Sequence, residues 1–236
     1  MIRKRGARYA VVLTGLAMVF AMTVTGTASA QGTAGRAKCT IVGTNGNDHI
    51  NGTNRADVIC GLGGNDVIEG RGGGDVILGG PGRDVLSGTR GNDVLKGGPG
   101  RDTLYGDDGN DTLRGGDLKD RLFGNRGSDK LGGDKGFDTL AGGYDNDVLR
   151  GGNQGDMMRG GKGDDVMLGG PGKDTIGGGD GNDSVIGGTQ VDVLNGRAGD
   201  DTVNGVDGAP GDLVRGQAGT DTCTSDSGDH VVTCEL

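Results

Sequence analysis

The chain has no tryptophan, three phenylalanines, three tyrosines, two histidines and four prolines in 236 residues. Aromatic content of 3% and hydrophobic content of 31% exclude an ordinary globular core, which draws its buried area from large apolar side chains. The histidines, His49 and His230, sit in no H-E-x-x-H pattern, and no G-x-S-x-G elbow occurs, so the common metalloprotease and serine-hydrolase constellations are missing. Basic residues are also short, 24 Lys and Arg against 33 Asp and Glu, which argues against nucleic acid as a partner because phosphate binding needs an excess of cations. Beyond Val24 no apolar run is long enough to span a bilayer as a helix.

Glycine, at 57 residues, and regularly placed aspartate are abundant instead. Gly79 to Lys96 reads GGPGRDVLS and then GTRGNDVLK, two Gly-rich loops each closed by Asp and followed by three residues of strand character. The rest of the chain repeats this unit. Aspartate recurs every nine residues at Asp48, Asp57, Asp66, Asp75, Asp84, Asp93, Asp102, Asp111, Asp120, Asp129, Asp138, Asp147, Asp156, Asp165, Asp174, Asp183, Asp192 and Asp201. Five residues ahead of each lies a glycine, from Gly43 to Gly196, and two residues after each lies an aliphatic side chain, from Ile50 to Val203.

Counting Gly79 as position one, positions one to six read as a turn in which glycine supplies left-handed conformations; Pro81-Gly82, Pro99-Gly100 and Pro171-Gly172 are Pro-Gly turns. Positions seven to nine read as a short strand with position eight inward, as in Val85-Leu86-Ser87. Two turns and two strands close a coil of eighteen residues. About ten coils stacked ~4.8 Å apart give a rod on the order of 50 Å long. Only one position in nine is committed to the core, and carboxylates stacked at a fixed spacing repel; a bound divalent cation turns that repulsion into attraction.

The units GGPGRDVLS, GGPGRDTLY, GGKGDDVML and GGPGKDTIG resemble the GGxGxDxUx nonapeptide of the RTX, or hemolysin-type, calcium-binding family of secreted bacterial proteins, over residues 43 to 223. The resemblance implies an all-β fold, a parallel β-roll or right-handed parallel β-helix, with two short-stranded parallel sheets and calcium-binding turns. It also implies multiple Ca2+ ions between loops eighteen residues apart, pairing Asp66 with Asp84 and Asp75 with Asp93, with loop carbonyls completing the shell. An EF-hand is excluded, since Gly-Asp-Gly-Asn-Asp at 179–183 lacks its ligand spacing.

Position four holds Arg55, Leu118, Asp145, Gln154 and Gln190 where glycine is expected, so Asp120, Asp147, Asp156 and Asp192 are expected to be the weaker ligands. Asp212 and Asp221 are left out of the ligand set because Gly205 to Asp212 carries two extra residues. Four cysteines at the ends of the repeats, read in an exported chain, suggest disulfides Cys39–Cys60 and Cys223–Cys234. The first poses a problem: in an ideal stack Cys39 lies beside Asp57, about 10 Å from Cys60 along the strand.

Residues 1–30 read as a signal peptide, with Arg3, Lys4, Arg5 and Arg8 ahead of an apolar stretch and Ala28-Ser29-Ala30 as cleavage site. Its removal leaves 20 basic against 33 acidic groups, a net charge of −13. Residues 31–42 form a linker and N-terminal cap, 43–223 the roll and 224–236 a C-terminal cap. The expected protein is secreted, extracellular and non-enzymatic, with a structural, matrix or adhesive role. Calcium is its principal partner; cell-wall or extracellular polysaccharide and self-association through outward Val58, Val76, Val94, Val67 and Val85 are the others, with no nucleic acid and no membrane span after cleavage. A toxin-like effector or polysaccharide-modifying enzyme using the roll surface is the competing class, although Tyr105, Phe123 and Tyr144 look scattered.

Overall fold

The computed structural model describes residues 38–234, so the leader assigned to 1–30 and most of the linker fall outside the described residues. From residue 41 the chain winds as a parallel β-solenoid whose strands alternate between two eleven-stranded sheets, odd strands in one and even strands in the other. Every pairing is parallel and joins residues eighteen apart through most of the stack, as in Leu86↔Leu104 and Leu104↔Leu122. The nine-residue period thus becomes a stack of about eleven coils.

Position eight points inward in every repeat, and Ile50 through Val203, with Val214 added at the C-terminal end, form one continuous apolar column between the sheets. Each coil therefore contributes two aliphatic side chains, and stacking them is the only way either is removed from water. Most strands are longer than position seven to nine: Val85–Arg90 and Thr103–Asp108 run on through positions one to three of the next unit. They can do so because position one is glycine and points inward, where there is no room for a side chain; a Cβ on Gly79 would lie 2.8 Å from the carbonyl oxygen of Gly97 and would collide with Asp84 Oδ2. The turn is accordingly confined to positions four to six.

The ends deviate from the repeat. Ile41 pairs with Ile59 and Val42 with Cys60 as the ideal register requires, but the chain bends at Thr40. That bend brings Cys39 back over Cys60, with Cα atoms 6.0 Å apart, and resolves the distance problem posed by an undeviating strand. At the other end the two extra residues are absorbed in the loop before Asp212, after which Leu213–Ala218 pairs normally with Val193–Ala198. The tail adds one more strand, His230–Val232, and its Cys234 bonds Cys223, which pairs with the core residue Val203, so that a disulfide lies against the end of the core. Among the described residues no helix is long and apolar enough to cross a membrane.

Candidate calcium columns

The position-six aspartates from Asp66 to Asp201 are all buried, and they line up in two columns, one along each edge of the roll where the loops stack. One column runs Asp66, Asp84, Asp102 and so on, the other Asp75, Asp93, Asp111 and so on. In both, the backbone N–H of an aspartate donates to Oδ1 of the aspartate one coil later: Asp66 to Asp84 at 2.8 Å, Asp84 to Asp102 at 2.8 Å, Asp93 to Asp111 at 2.7 Å. The pairs eighteen residues apart expected from the sequence are joined in this way. What joins them is a carboxylate bridging two coils, not two carboxylates facing each other.

The second oxygen has no such partner. Oδ2 of eighteen aspartates, Asp66 through Asp201 at nine-residue intervals plus Asp212 and Asp221, is shielded from solvent and accepts no hydrogen bond. Each lies over the glycine five residues before it in the regular loops, in space that a Cβ there would fill. The ion pairs among the described residues, Arg114–Asp134, Arg126–Asp108 and Lys135–Asp117, are all partly exposed and involve no column aspartate. Burying a carboxylate oxygen with neither donor nor countercharge is strongly unfavourable, so rows of them are a demand for cations.

Burial without countercharge pushes the column carboxyls from Asp75 to Asp212 up. Asp93, Asp129, Asp138, Asp165 and Asp174 rise to about 6, Asp102, Asp111, Asp156, Asp183 and Asp192 to about 7, and Asp120 and Asp147 to about 8. Desolvation is the main cause; the Asp N–H donated to Oδ1 works against it, and column neighbours, such as Asp102 and Asp138 on either side of Asp120, add repulsion.

The donor set suits a hard divalent cation. No cluster of three acidic, His or Cys side chains forms among the described residues. Each loop offers one carboxylate and the carbonyls of a glycine-rich turn, so an ion would draw on stacked loops together, as calcium with its six to eight oxygens can.

The irregular loops do not displace their aspartates. Leu118, Asp145, Gln154 and Gln190 take the left-handed region, φ 75°, 70°, 76° and 80°, and the carboxylates that follow are as buried as the others. Position two is also left-handed from Leu62 on, with Arg71, Thr89, Asp107, Asn125, Asp134 and Arg197 accepting it without glycine. Asp212 and Asp221, set aside on spacing, complete the columns: Asp192 N–H donates to Asp212 Oδ1 at 2.8 Å and Asp201 N–H to Asp221 Oδ1 at 3.0 Å. The available signal was Gly216, five residues before Asp221 as in a regular repeat. Asp48 and Asp57 stand apart, since their Oδ2 atoms do have donors, in Thr44 and Thr53.

Two features of the outer surface also emerge. Tyr105 and Phe123, far from scattered, face each other across neighbouring strands with ring centroids 5.1 Å apart and planes 11° from parallel. On the same sheet Arg90, Asp108, Arg126 and Tyr144 line a shallow groove of about 510 Å³.

A parallel solenoid with two columns of buried carboxylates, each with one oxygen that lacks a donor, suits a cation-binding repeat protein. The family can then be stated: the RTX calcium-binding nonapeptide repeat matches residues 42–77, 78–113, 105–140, 141–176 and 177–209, more than half of the chain, and the chain belongs to that family. RTX nonapeptide repeats bind calcium, and the columns described above hold the residues that fit it. No curated protein matches the chain.

Proposed function

We propose that this protein is an exported, non-catalytic β-roll that folds on binding multiple calcium ions and serves a structural, matrix or adhesive role outside the cell. The observation that carries this reading is the set of donor-less carboxylate oxygens: without cations the roll would bury many like charges at coil spacing. Two disulfides, the leader-like residues 1–30 and the absence of His- or Ser-based constellations from the sequence support export and a non-enzymatic role. Metal-binding energy then becomes folding energy, and the chain stays extended where calcium is scarce.

Titrating calcium into chelator-treated, disulfide-intact protein should give a steep coil-to-β transition in far-UV circular dichroism at ~10⁻⁴ to 10⁻³ M, the range of extracellular modules. A β spectrum already complete in chelator would refute the mechanism. Sequencing the N-terminus of protein recovered from culture medium tests export; the expected first residue is Gln31.

The stacked Tyr105–Phe123 pair and the adjoining polar groove support polysaccharide as the partner of an adhesive role, because sugar rings stack on aromatic faces while their hydroxyls bond Asp, Asn and Arg. Pull-down by purified cell-wall glycans in calcium, lost in a Tyr105→Ala and Phe123→Ala double variant of unchanged circular dichroism, is the expected result; equal retention by both proteins excludes this face.

A further inference from the structure

The first two loops share the repeat pattern but end differently. In the loop of Asp48, Thr44 donates its backbone N–H at 2.6 Å and its Oγ1 at 3.0 Å to Asp48 Oδ2, and Gly46 N–H closes the turn on Thr44 Oγ1 at 3.1 Å. The loop of Asp57 repeats this with Thr53: N–H at 2.8 Å, Oγ1 at 2.8 Å, and Arg55 N–H to Thr53 Oγ1 at 3.1 Å. These are the same Oδ2 atoms that, from Asp66 onward in both columns, have no donor.

The difference lies at position two. Thr44 and Thr53 keep an ordinary backbone conformation and aim their N–H at their own loop's carboxylate, whereas Leu62, Arg71, Gly80 and their successors turn left-handed. With the turn reversed the N–H leaves the carboxylate; that of Gly80 goes to Gly97 O in the next coil at 2.9 Å. Both early loops have a following coil, to which Asp48 and Asp57 donate their N–H at 2.9 and 2.8 Å, and each is the first loop of its edge among the described residues.

We infer that the loops of Asp48 and Asp57 bind no calcium, that the donors of Thr44 and Thr53 stand in for the ion, and that the backbone conformation at position two distinguishes a capped loop from a metal loop. A carboxylate that already accepts two short hydrogen bonds on the oxygen a cation would need has its charge satisfied, and an ion could enter only by breaking both. The first coil, closed by Cys39–Cys60, is thus a metal-free end plate under the calcium-bound stack. This inference rests on the reading of the remaining columns as calcium sites.

Equilibrium dialysis with calcium, read alongside circular dichroism, tests it on the full disulfide-bonded protein. Asp48→Asn with Asp57→Asn keeps the amide oxygens as acceptors for the threonines, and should leave the number of bound ions unchanged and the calcium midpoint within about two-fold. Asp111→Asn, from the interior, should lower the number. Thr44→Gly with Thr53→Gly frees position two to turn left-handed and should raise the number above wild type. A loss of ions in the Asp48/Asp57 variant comparable to that of Asp111→Asn overturns the inference, as does no gain in the glycine variant. Wild-type protein that binds no calcium would instead overturn the functional reading beneath it.

Discussion

The two edges of the roll carry the same aspartate column and differ one residue earlier, at position five. On the Asp75 edge that residue is mostly Asn, Asp or Ser, and its side chain accepts the N–H of the residue one coil later: Asn110 to Asn92, Ser128 to Asn110, Asp164 to Asn146, Asn182 to Asp164 and Asp200 to Asn182, all within 2.8–3.0 Å. The Asp66 edge begins the same way, Asn65 to Asn47 and Arg83 to Asn65, and then stops, because Arg83, Arg101, Lys119, Phe137 and Lys173 follow where an amide would be needed. The outer ladder runs opposite to the inner one, whose N–H donors point to the following coil. An edge with both has side-chain ties in both directions; an edge with one has only the aspartate ties beside the backbone bonds between coils, such as Gly82 N–H to Pro99 O.

The largest expected effect falls on what the edges share. Asp102→Ala on one edge and Asp111→Ala on the other should each lower calcium stoichiometry and, in saturating calcium, melting temperature, by similar amounts. Each leaves a buried N–H, that of Asp84 or Asp93, without its acceptor, at a cost of roughly 1–3 kcal/mol before the lost ion is counted. A clearly unequal loss between the two variants would mean that the columns are not equivalent metal sites.

Proton dependence should also be common to both edges. Asp120 on one and Asp147 on the other are raised to about 8, against an ordinary carboxyl value near 4. A raised folded-state value means that the folded form holds its proton where the unfolded form has lost it. The stability of the metal-free roll is therefore greatest below about pH 4 and falls as pH climbs to about 8. β content in chelator should grow on acidification across that window, followed by circular dichroism. Because the coil that calcium folds has already lost those protons, the calcium concentration for half-folding should hold nearly constant from about pH 8 to 6 and rise below about pH 5, where calcium must displace protons from the unfolded carboxyls. A midpoint unchanged down to about pH 4 would show that the ions do not bind these carboxylates.

Much of this was legible in the sequence because a solenoid converts linear period into spatial contact. Asp, Gly and aliphatic columns locked at nine residues specify the two-sheet stack, the inward Leu86 and Leu104, and the aspartate pairs. What escaped depends on backbone conformation that composition does not encode. Glycine at position four signalled left-handed turns, but Thr89, Asp107 and Asn125 adopt the same conformation at position two without it. Thr44 and Thr53 looked like ordinary loop residues until their N–H groups were seen on the carboxylates. Asp212 and Asp221 were hidden by a two-residue insertion that shifts numbering but not stacking. Tyr105 and Phe123, eighteen residues apart, looked scattered only when distance was counted along the chain instead of between coils.

The smallest expected effect is the one that distinguishes the edges. Asn110→Ala removes the acceptor of Ser128 N–H, and Asn146→Ala that of Asp164 N–H. Both sites are exposed, so water can replace the lost bond and the cost should sit at the low end of the usual range, about 0.5–1 kcal/mol each. The local signature should be clearer than the global one: amide exchange in saturating calcium should accelerate at Ser128 or Asp164 and stay unchanged at the aspartate of the same loop. Arg101→Ala and Lys119→Ala, at the same position on the other edge, remove no ladder bond and should leave exchange at Lys119 and Phe137 as it was. Lys119→Asn carries the comparison further, since it restores an acceptor opposite Phe137 N–H and should slow exchange there. If alanine at Asn110 and at Lys119 perturb their edges equally, the outer ladder contributes nothing and the loops are held by the aspartate columns and the backbone bonds between coils.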